Sequence, residues 1–371
     1  MSAMVDVIVV GGGLAGLISA IQIRKAGYEV SLIEKKEYPF HRVCGEYISN
    51  EVRPFLERNG LFPSDANPAN ISTFWLTSTN GKKATLPLKM GAFGISRYAF
   101  DLWLYEKACS LGVNFLTGDA VADIHFEEDC FTLTLTKGLS LKSRYVIGAF
   151  GKRSMLDKQL KRPFMTRKSP YVGVKYHLST DFPEDVIALH NFQNGYCGIS
   201  KVEGETYNLC YLSHRNNLRK YGGTAAMEEA VMWKNPHLRS IFQNADFHFS
   251  KPEVINEISF ERKEPVIQHI LMAGDSAGLI TPLCGNGMAM AIHGAKLVSE
   301  TMIKHKLQDR IAIEKEYTAA WEKHFRNRLW AGRQIQRFFG SDSLSNIAVN
   351  LARYAKPIAG KLVEQTHGKV F

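Results

Sequence analysis

Six cysteines (Cys44, Cys109, Cys130, Cys197, Cys210 and Cys284) are scattered through 371 residues, with no CxxC pair and no histidine cluster at zinc-ligand spacing. That excludes a zinc ribbon or a disulfide framework as the organising device, fits free thiols in a reducing compartment, and leaves no metal site to expect. No stretch reads as a bilayer-spanning helix of roughly 18 residues, because the uncharged run over 276–295 is broken by Pro282, Asn286 and several glycines. Internal repeats and low-complexity linkers are missing too, and with 45% hydrophobic and 22% charged residues the chain is a folded globule, not a disordered one. The first apolar run begins at Val5, which leaves no room for a signal peptide and sets the expectation of a cytoplasmic protein. Acid is the scarcer charge, and the formal net charge is +10. From Thr301 onward 13 Lys and Arg stand against 6 Asp and Glu. That segment is either a solvated helical face or a surface for peripheral contact with an anionic membrane; with no recognition module in the chain, nucleic acid is not expected.

What the chain does have is VDVIVVGGGLAGLISAIQIRKAGYEVSLIEK, residues 5–35. An apolar run rich in Val and Ile reads as a buried parallel strand that stops at Gly11, Gly12 and Gly13 before a helix from Leu14 to Ala26. Gly11 allows the tight turn, Gly13 lets backbone N–H groups approach a pyrophosphate, and Gly16 lets helix and strand pack closely. The helix start, at Leu14 and Ala15, offers unpaired N–H groups and partial positive charge to an anion. A second strand then ends at Glu34, an acceptor for the ribose hydroxyls of an adenosine.

Next, His41, Arg42, Cys44, Gly45 and Glu46 occupy a loop leading into an expected helix from Ser49 to Asn59. Arg42 either reaches a cofactor phosphate or ribose or pairs with a nearby Glu; Cys44 to Tyr47 either line a ligand pocket or, for Cys44, fill a small core space. Residues 71–93 alternate about the turn signal Asn80-Gly81 and read as a hairpin of a second sheet. Arg97 opens a helix expected over Tyr98–Leu111, followed by a strand at Val113–Leu116, with Val121–Ile124, Phe131–Thr136 and Ser143–Ile147 expected as a β-meander. Between Tyr171 and Phe260 successive antiparallel strands with a helical interruption (Thr224–Trp233) continue the second sheet. Phe74, Trp75, Tyr176, Phe192 and Tyr196 are its candidate pocket walls.

A second motif is ILMAGDSAGLITPLCGNGMAMAIHGAK, residues 270–296. A buried strand ends at Gly274-Asp275, where the carboxylate is placed to accept from cofactor hydroxyls. The loop through Cys284, Gly285, Asn286, Gly287 and Met288 then opens a helix whose positive end can face a developing anion. The remaining residues read as two or more helices with Trp321, Phe325 and Trp330 on an apolar face. The expected class is α/β (α+β overall): a Rossmann-like domain over 1–70, 94–165 and 264–303, an inserted antiparallel-sheet substrate domain over 71–93 and 166–263, and a helical segment over 304–371.

With both motifs in hand the chain resembles the two-dinucleotide-fold flavoproteins that include class A aromatic hydroxylases, flavin halogenases and geranylgeranyl reductases, and resembles the last most. The resemblance implies FAD as cofactor. It implies that Gly11, Gly13, Leu14, Ala15, Gly16, Glu34 and Lys35 hold the AMP half, that Arg42, Arg97 and Val121 add contacts, and that Gly274 and Asp275 bind the ribityl chain. Gly285, Asn286, Gly287 and Met288 then lie along the isoalloxazine. Where the group carries Ala-Asp-Gly in mid-chain this sequence has Ala149-Phe150-Gly151, and the Trp-x-Trp-x-Ile-Pro of halogenases does not occur. The implied activity is reduction of C=C bonds in an apolar prenyl, polyene or aromatic substrate by hydride from flavin N5, with Cys44 and Tyr47 as proton donors and Cys284 in the pocket. The alternative is a monooxygenase hydroxylating an aromatic or polyene through a C4a-hydroperoxide. A second GxGxxG for a nicotinamide is not visible, so the electron donor is either transiently bound NAD(P)H or a ferredoxin-type protein.

Overall fold

The computed structural model describes residues 4–167, 169–281, 285–336, 340–360 and 367–371. The chain opens as β1 (Val5–Val10), α1 (Leu14–Lys25), β2 (Val30–Glu34), β3 (Tyr47–Ser49) and α2 (Arg53–Arg58). It continues through β4 (Ala69–Thr77), β5 (Lys83–Gly94), α3 (Arg97–Ser110), β6 (Asn114–Thr117), β7 (Val121–Glu127), β8 (Cys130–Leu135), β9 (Ser140–Gly148) and α4 (Met155–Gln159). After β10 (Tyr171–Ser179), β11 (Val186–Phe192), β12 (Gly195–Lys201) and β13 (Tyr207–His214) come α5 (Arg215–Tyr221), α6 (Thr224–Val231) and α7 (Pro236–Asn244). The remainder is β14 (Asp246–Phe247), β15 (Glu253–Asn256), β16 (Val266–Ile267), β17 (Ile270–Met272), α8 (Gly287–Lys304), α9 (Arg310–Gln336) and α10 (Asp342–Tyr354).

Two sheets result. The first runs β16-β17-β9-β1-β2-β6, and its central pairs β17–β9, β9–β1, β1–β2 and β2–β6 are all parallel. Buried on both faces, β1 can be a continuous apolar run, and Val7, Ile8 and Val9 have no exposed surface. The second sheet runs β14-β10-β13-β12-β11-β4-β5-β3 and obeys period two. Along β10, Val172, Val174, Tyr176 and Leu178 join a core with Met227, Val231 and Leu238 from the α6–α7 layer. The alternate residues Gly173, Lys175 and His177 therefore point to the opposite face, toward the first sheet.

Three sequence expectations change. The helix expected from Ser49 is preceded by a strand, β3, that pairs antiparallel with β5 through Ile48 and Phe93, and α2 starts only at Arg53 with Pro54 in its first turn. As expected, β7–β8–β9 form the antiparallel meander, while β6 adds parallel to β2. In the second sheet β11 and β4 run parallel, with no hairpin between them to force the opposite sense. Trp330 is 59% exposed while Trp321 and Phe325 are buried. Nine residues from Trp321 is about half a turn past a whole number of turns, so Trp330 falls on the other side of α9.

A buried ion pair clamps the first sheet's ligand end. Arg162, 1% exposed, donates Nη1 to Asp157 (2.9 Å) and to the carbonyl of Ser276 (2.8 Å). Asp157 in turn accepts from Ser154 N (2.7 Å) in the capping box that starts α4. Removing the guanidinium strands a buried carboxylate, so Arg162→Ala is expected to lose about 3–5 kcal/mol in urea unfolding. A loss below ~1 kcal/mol contradicts the clamp.

Candidate active site

The turn after β1 has the tightness its glycines suggest. A Cβ at Gly16 would sit 1.9 Å from the Gly11 carbonyl oxygen, and one at Gly11 (φ +106°) would sit 2.3 Å from that of Ala149. Helix, turn and β9 thus touch backbone to backbone, which any side chain would prevent. At the end of β2, Glu34 accepts from Gly12 N (2.8 Å) and from Arg42 Nη2 (3.1 Å). Arg42 also donates to Asp101 (3.1 Å), which receives two 2.7 Å bonds from Arg97. Arg42 therefore realises the acid-pairing alternative while still lining the cavity; Arg97 stands at Gly13, where an added Cβ would lie 3.4 Å from its Nη2. Burial acts against the Arg97 charge, but Asp101 outweighs it and holds the guanidinium protonated.

These groups open into a cavity of 1080 Å³. The end of it nearest the turn after β1 is lined by Gly11, Gly13, Leu14, Ala15, Glu34, Lys35, Arg42, Arg97, Val121, Gly274, Asp275, Gly285, Gly287 and Met288. Gly16 stays behind the turn as the packing glycine, and Asn286 is buried just before α8 without lining the cavity. Cys284 lies outside the described residues. At Gly274 (φ +64°) an added Cβ would be 2.9 Å from the Ala15 Cβ, so the second motif seats directly on the start of α1. Gly151 N donates to Ser276 Oγ (2.9 Å), making the altered mid-chain motif a brace for the Gly274–Asp275 loop.

Burial pushes the Asp275 carboxyl up, against the pull of Lys263. It also lowers the ammonium groups of Lys152 and Lys263 to about 8. Lys263 Nζ donates to the carbonyls of Lys152 (2.6 Å) and Asp275 (2.7 Å), which fixes the loop from below. An anion-seeking turn, an acid at a strand end, two guanidinium groups and a glycine-lined floor fit a dinucleotide. The cavity does not end at this cradle but continues between the second sheet and α10.

That second space is apolar. Phe74, Leu76, Leu86, Leu189, Tyr196 and Leu212 line it from the second sheet, while Ile347, Ala348, Leu351 and Ala352 of α10 line it from the C-terminal segment. Of the five aromatic residues expected in the wall, Phe74 and Tyr196 are there; Trp75, Tyr176 and Phe192 pack in the core on the far face of the sheet. Phe74 and Trp75 are neighbours and must face opposite ways. The last residues help hold this cover. Buried Glu51 accepts from Arg328 (2.9 Å) and from Gly368 N, and Phe371 stacks on His293 at 4.0 Å.

Cys44 and Tyr47 both reach the cavity. Burial pushes the Cys44 thiol up, so it stays protonated at neutral pH. Burial also raises the Tyr47 phenol, whose hydroxyl lies 3.5 Å from His367 Nε2 and whose ring packs on Gly285. Between them Glu46, at φ 52° and with no exposed surface, carries an ion cluster unforeseen from the sequence. Its carboxylate bonds Lys175 Nζ, His177 Nε2 (2.6 Å) and Arg97 N (2.8 Å). Desolvation alone would raise this carboxyl, but Lys175 and His177 overcome it and hold it below the ordinary range. The available signal was a Lys and a His two apart in the apolar strand VGVKYHLS, which puts both on one face.

Comparison with known proteins agrees with this geometry. The family model described as "FAD binding domain" matches residues 4–306. Digeranylgeranylglycerophospholipid reductase of Methanococcus vannielii is 25% identical over 358 residues, covering 86% of this chain and 83% of the relative. A rifampicin monooxygenase of Streptomyces venezuelae is 31% identical over 167 residues, covering 42% of this chain and 34% of its own length. Conditioned medium factor receptor 1 of Dictyostelium discoideum is 22% identical over 330 residues, which cover 81% of this chain but only 63% of that protein. Among solved structures, a geranylgeranyl bacteriochlorophyll reductase-like protein of Thermoplasma acidophilum superposes with a TM-score of 0.80 at 16% identity, covering 98% of this chain and 95% of the other.

Because the Glu46 carboxyl titrates lower in the folded chain than its ordinary 4.5, its cluster adds stability that is fully present above that pH and is lost as pH falls through the folded value. Urea midpoints measured across the acid range should show Glu46→Gln less stable than the parent at neutral pH and flatter below it. Parallel profiles would remove Glu46 from the acid response.

Proposed function

Since the chain belongs to the FAD-binding-domain family, we propose that it is an FAD-dependent oxidoreductase reducing carbon–carbon double bonds of an extended apolar substrate. The observation that carries the reading is one continuous cavity, in which the dinucleotide cradle passes without a partition into an apolar chamber that Cys44 also lines. When bound and reduced, the flavin supplies a hydride. The chain's own part is to hold the alkene against that cradle, to keep water out with the second sheet and α10, and to deliver a proton to the second alkene carbon. Hydride and proton together balance the two-electron reduction. Cys44 suits the proton step because its thiol is kept neutral by burial, whereas Glu46 is ionised and committed to Lys175 and His177. Tyr47 is the second donor within the chamber. The reductase relative matches over most of its length, which supports the reductase over the monooxygenase reading.

A competing reading, hydroxylation with O2, has in its favour the higher local identity of the rifampicin monooxygenase. One experiment separates them without needing the physiological electron donor. The protein is reduced by dithionite under anaerobic conditions and mixed with a polyprenyl substrate. Reoxidation of the flavin with an equivalent of saturated product is expected. A flavin that stays reduced until O2 is admitted, followed by a hydroxylated product, overturns the proposal. In the same assay Cys44→Ala should slow reoxidation by about 10²–10⁴-fold at unchanged flavin content, the range for loss of a general acid. Unchanged turnover would pass the role to Tyr47.

A further inference from the structure

The apolar arc of α10 is wider than the protein beneath it can cover. Val349 and Ala352 are buried in the core with Leu76, Leu86 and Tyr196 of the second sheet. Moving around the helix, Ala348 and Leu351 line the cavity. Beyond them Ile347 and Tyr354, seven residues and two turns apart, are 57% and 79% exposed. The helix breaks at Ala355, and just past the break Ile358 is 56% exposed. Ile347 belongs to both sets: it lines the cavity and faces solvent, so it stands at the mouth of the chamber.

Exposed apolar side chains at a chamber mouth call for an occupant, and charge selects it. Between Ser343 and Gly360 the charged residues are Arg353 and Lys356 alone, both exposed, and no acid interrupts them. From Thr301 to the end the chain carries 13 Lys and Arg against 6 Asp and Glu. An amphipathic helix with aliphatic and Tyr side chains on one side and basic residues beside them suits the boundary between headgroups and acyl chains. No helix among the described residues is long and apolar enough to cross a membrane, so such contact is peripheral.

We propose that α10 and the helical residues 356–360 after it form an interfacial docking surface for an anionic lipid bilayer, with the chamber mouth facing the lipid so that an apolar substrate passes in without crossing water. The docking stands on exposure and charge; only the entry route rests on the proposed apolar substrate.

The test is co-sedimentation of the FAD-loaded protein with vesicles of phosphatidylcholine alone and of phosphatidylcholine mixed with phosphatidylglycerol. Binding to the anionic vesicles is expected, several-fold weaker to the neutral ones, and weakened by salt. The double variant Tyr354→Ser with Ile358→Ser should bind at least about tenfold more weakly, since both side chains lose their burial in lipid. Arg353→Gln with Lys356→Gln should lose the preference for anionic vesicles. All four positions are exposed, so flavin content and melting temperature should match the parent. No binding to anionic vesicles at low salt overturns the proposal. So does a Tyr354/Ile358 variant that binds like the parent, which would reduce the contact to charge alone. Concentration-dependent self-association abolished by that variant in the absence of lipid overturns it as well, assigning the face to a second copy. Turnover is not measured, so failure of the reductase reading leaves these outcomes intact.

Discussion

The buried carboxylate of Glu46 is where the two sheets are joined. One side chain receives Lys175 and His177 from β10 of the second sheet and the backbone N–H of Arg97 at the start of α3 in the first. Its own carbonyl accepts from Ile95 N at 3.2 Å. An ion cluster of this kind in a low-dielectric joint tolerates no missing partner, because each remaining charge would be left uncompensated. It therefore fixes the orientation of the second sheet against the first. It also fixes the backbone on either side of Glu46, which carries Cys44 and Tyr47. The placement of Cys44 and Tyr47 is thus inherited from the electrostatics of Glu46, which lines the cavity beside them.

From that joint the cavity follows. Its polar half is built where ligands are held in open parallel sheets, at the carboxyl ends of β1, β2 and β17. Its apolar half is a face of the second sheet that α10 covers in part. The C-terminal segment is therefore part of the site: it closes the chamber and supplies the rim. The side chains of Glu51, Arg328 and Phe371 dock this segment onto the first half of the chain, so the site is completed only when the last residues are in place.

Much of the turn that builds the polar end of the cavity was legible in the sequence, because turn chemistry is local. Gly11, Gly13, Gly16 and Glu34 lie within one strand–helix–strand unit, and Gly274-Asp275 follows its strand immediately. Arg42 was legible only as an alternative, since whether a guanidinium meets a phosphate or a carboxylate depends on Asp101 and Arg97, which arrive from α3. The Glu46 cluster was not legible: its partners are 129 and 131 residues away. Period two in β10 offers the only local hint of them. The direction of β11 against β4 and the capping role of α10 were likewise hidden, because long-range pairing and the width of a cavity leave no periodic mark. Trp330 was misplaced for a simpler reason, an apolar face assigned without following the helical angle through nine residues.

The central claim is that cofactor and substrate share one chamber. A difference-absorbance titration of the FAD-loaded protein with a polyprenyl alcohol, paired with calorimetry on the same samples, tests it directly. Saturable perturbation of the flavin bands, with the same midpoint as the heat of binding, is the predicted result. Binding heat with an unchanged flavin spectrum would place the apolar ligand away from the cofactor and contradict the account.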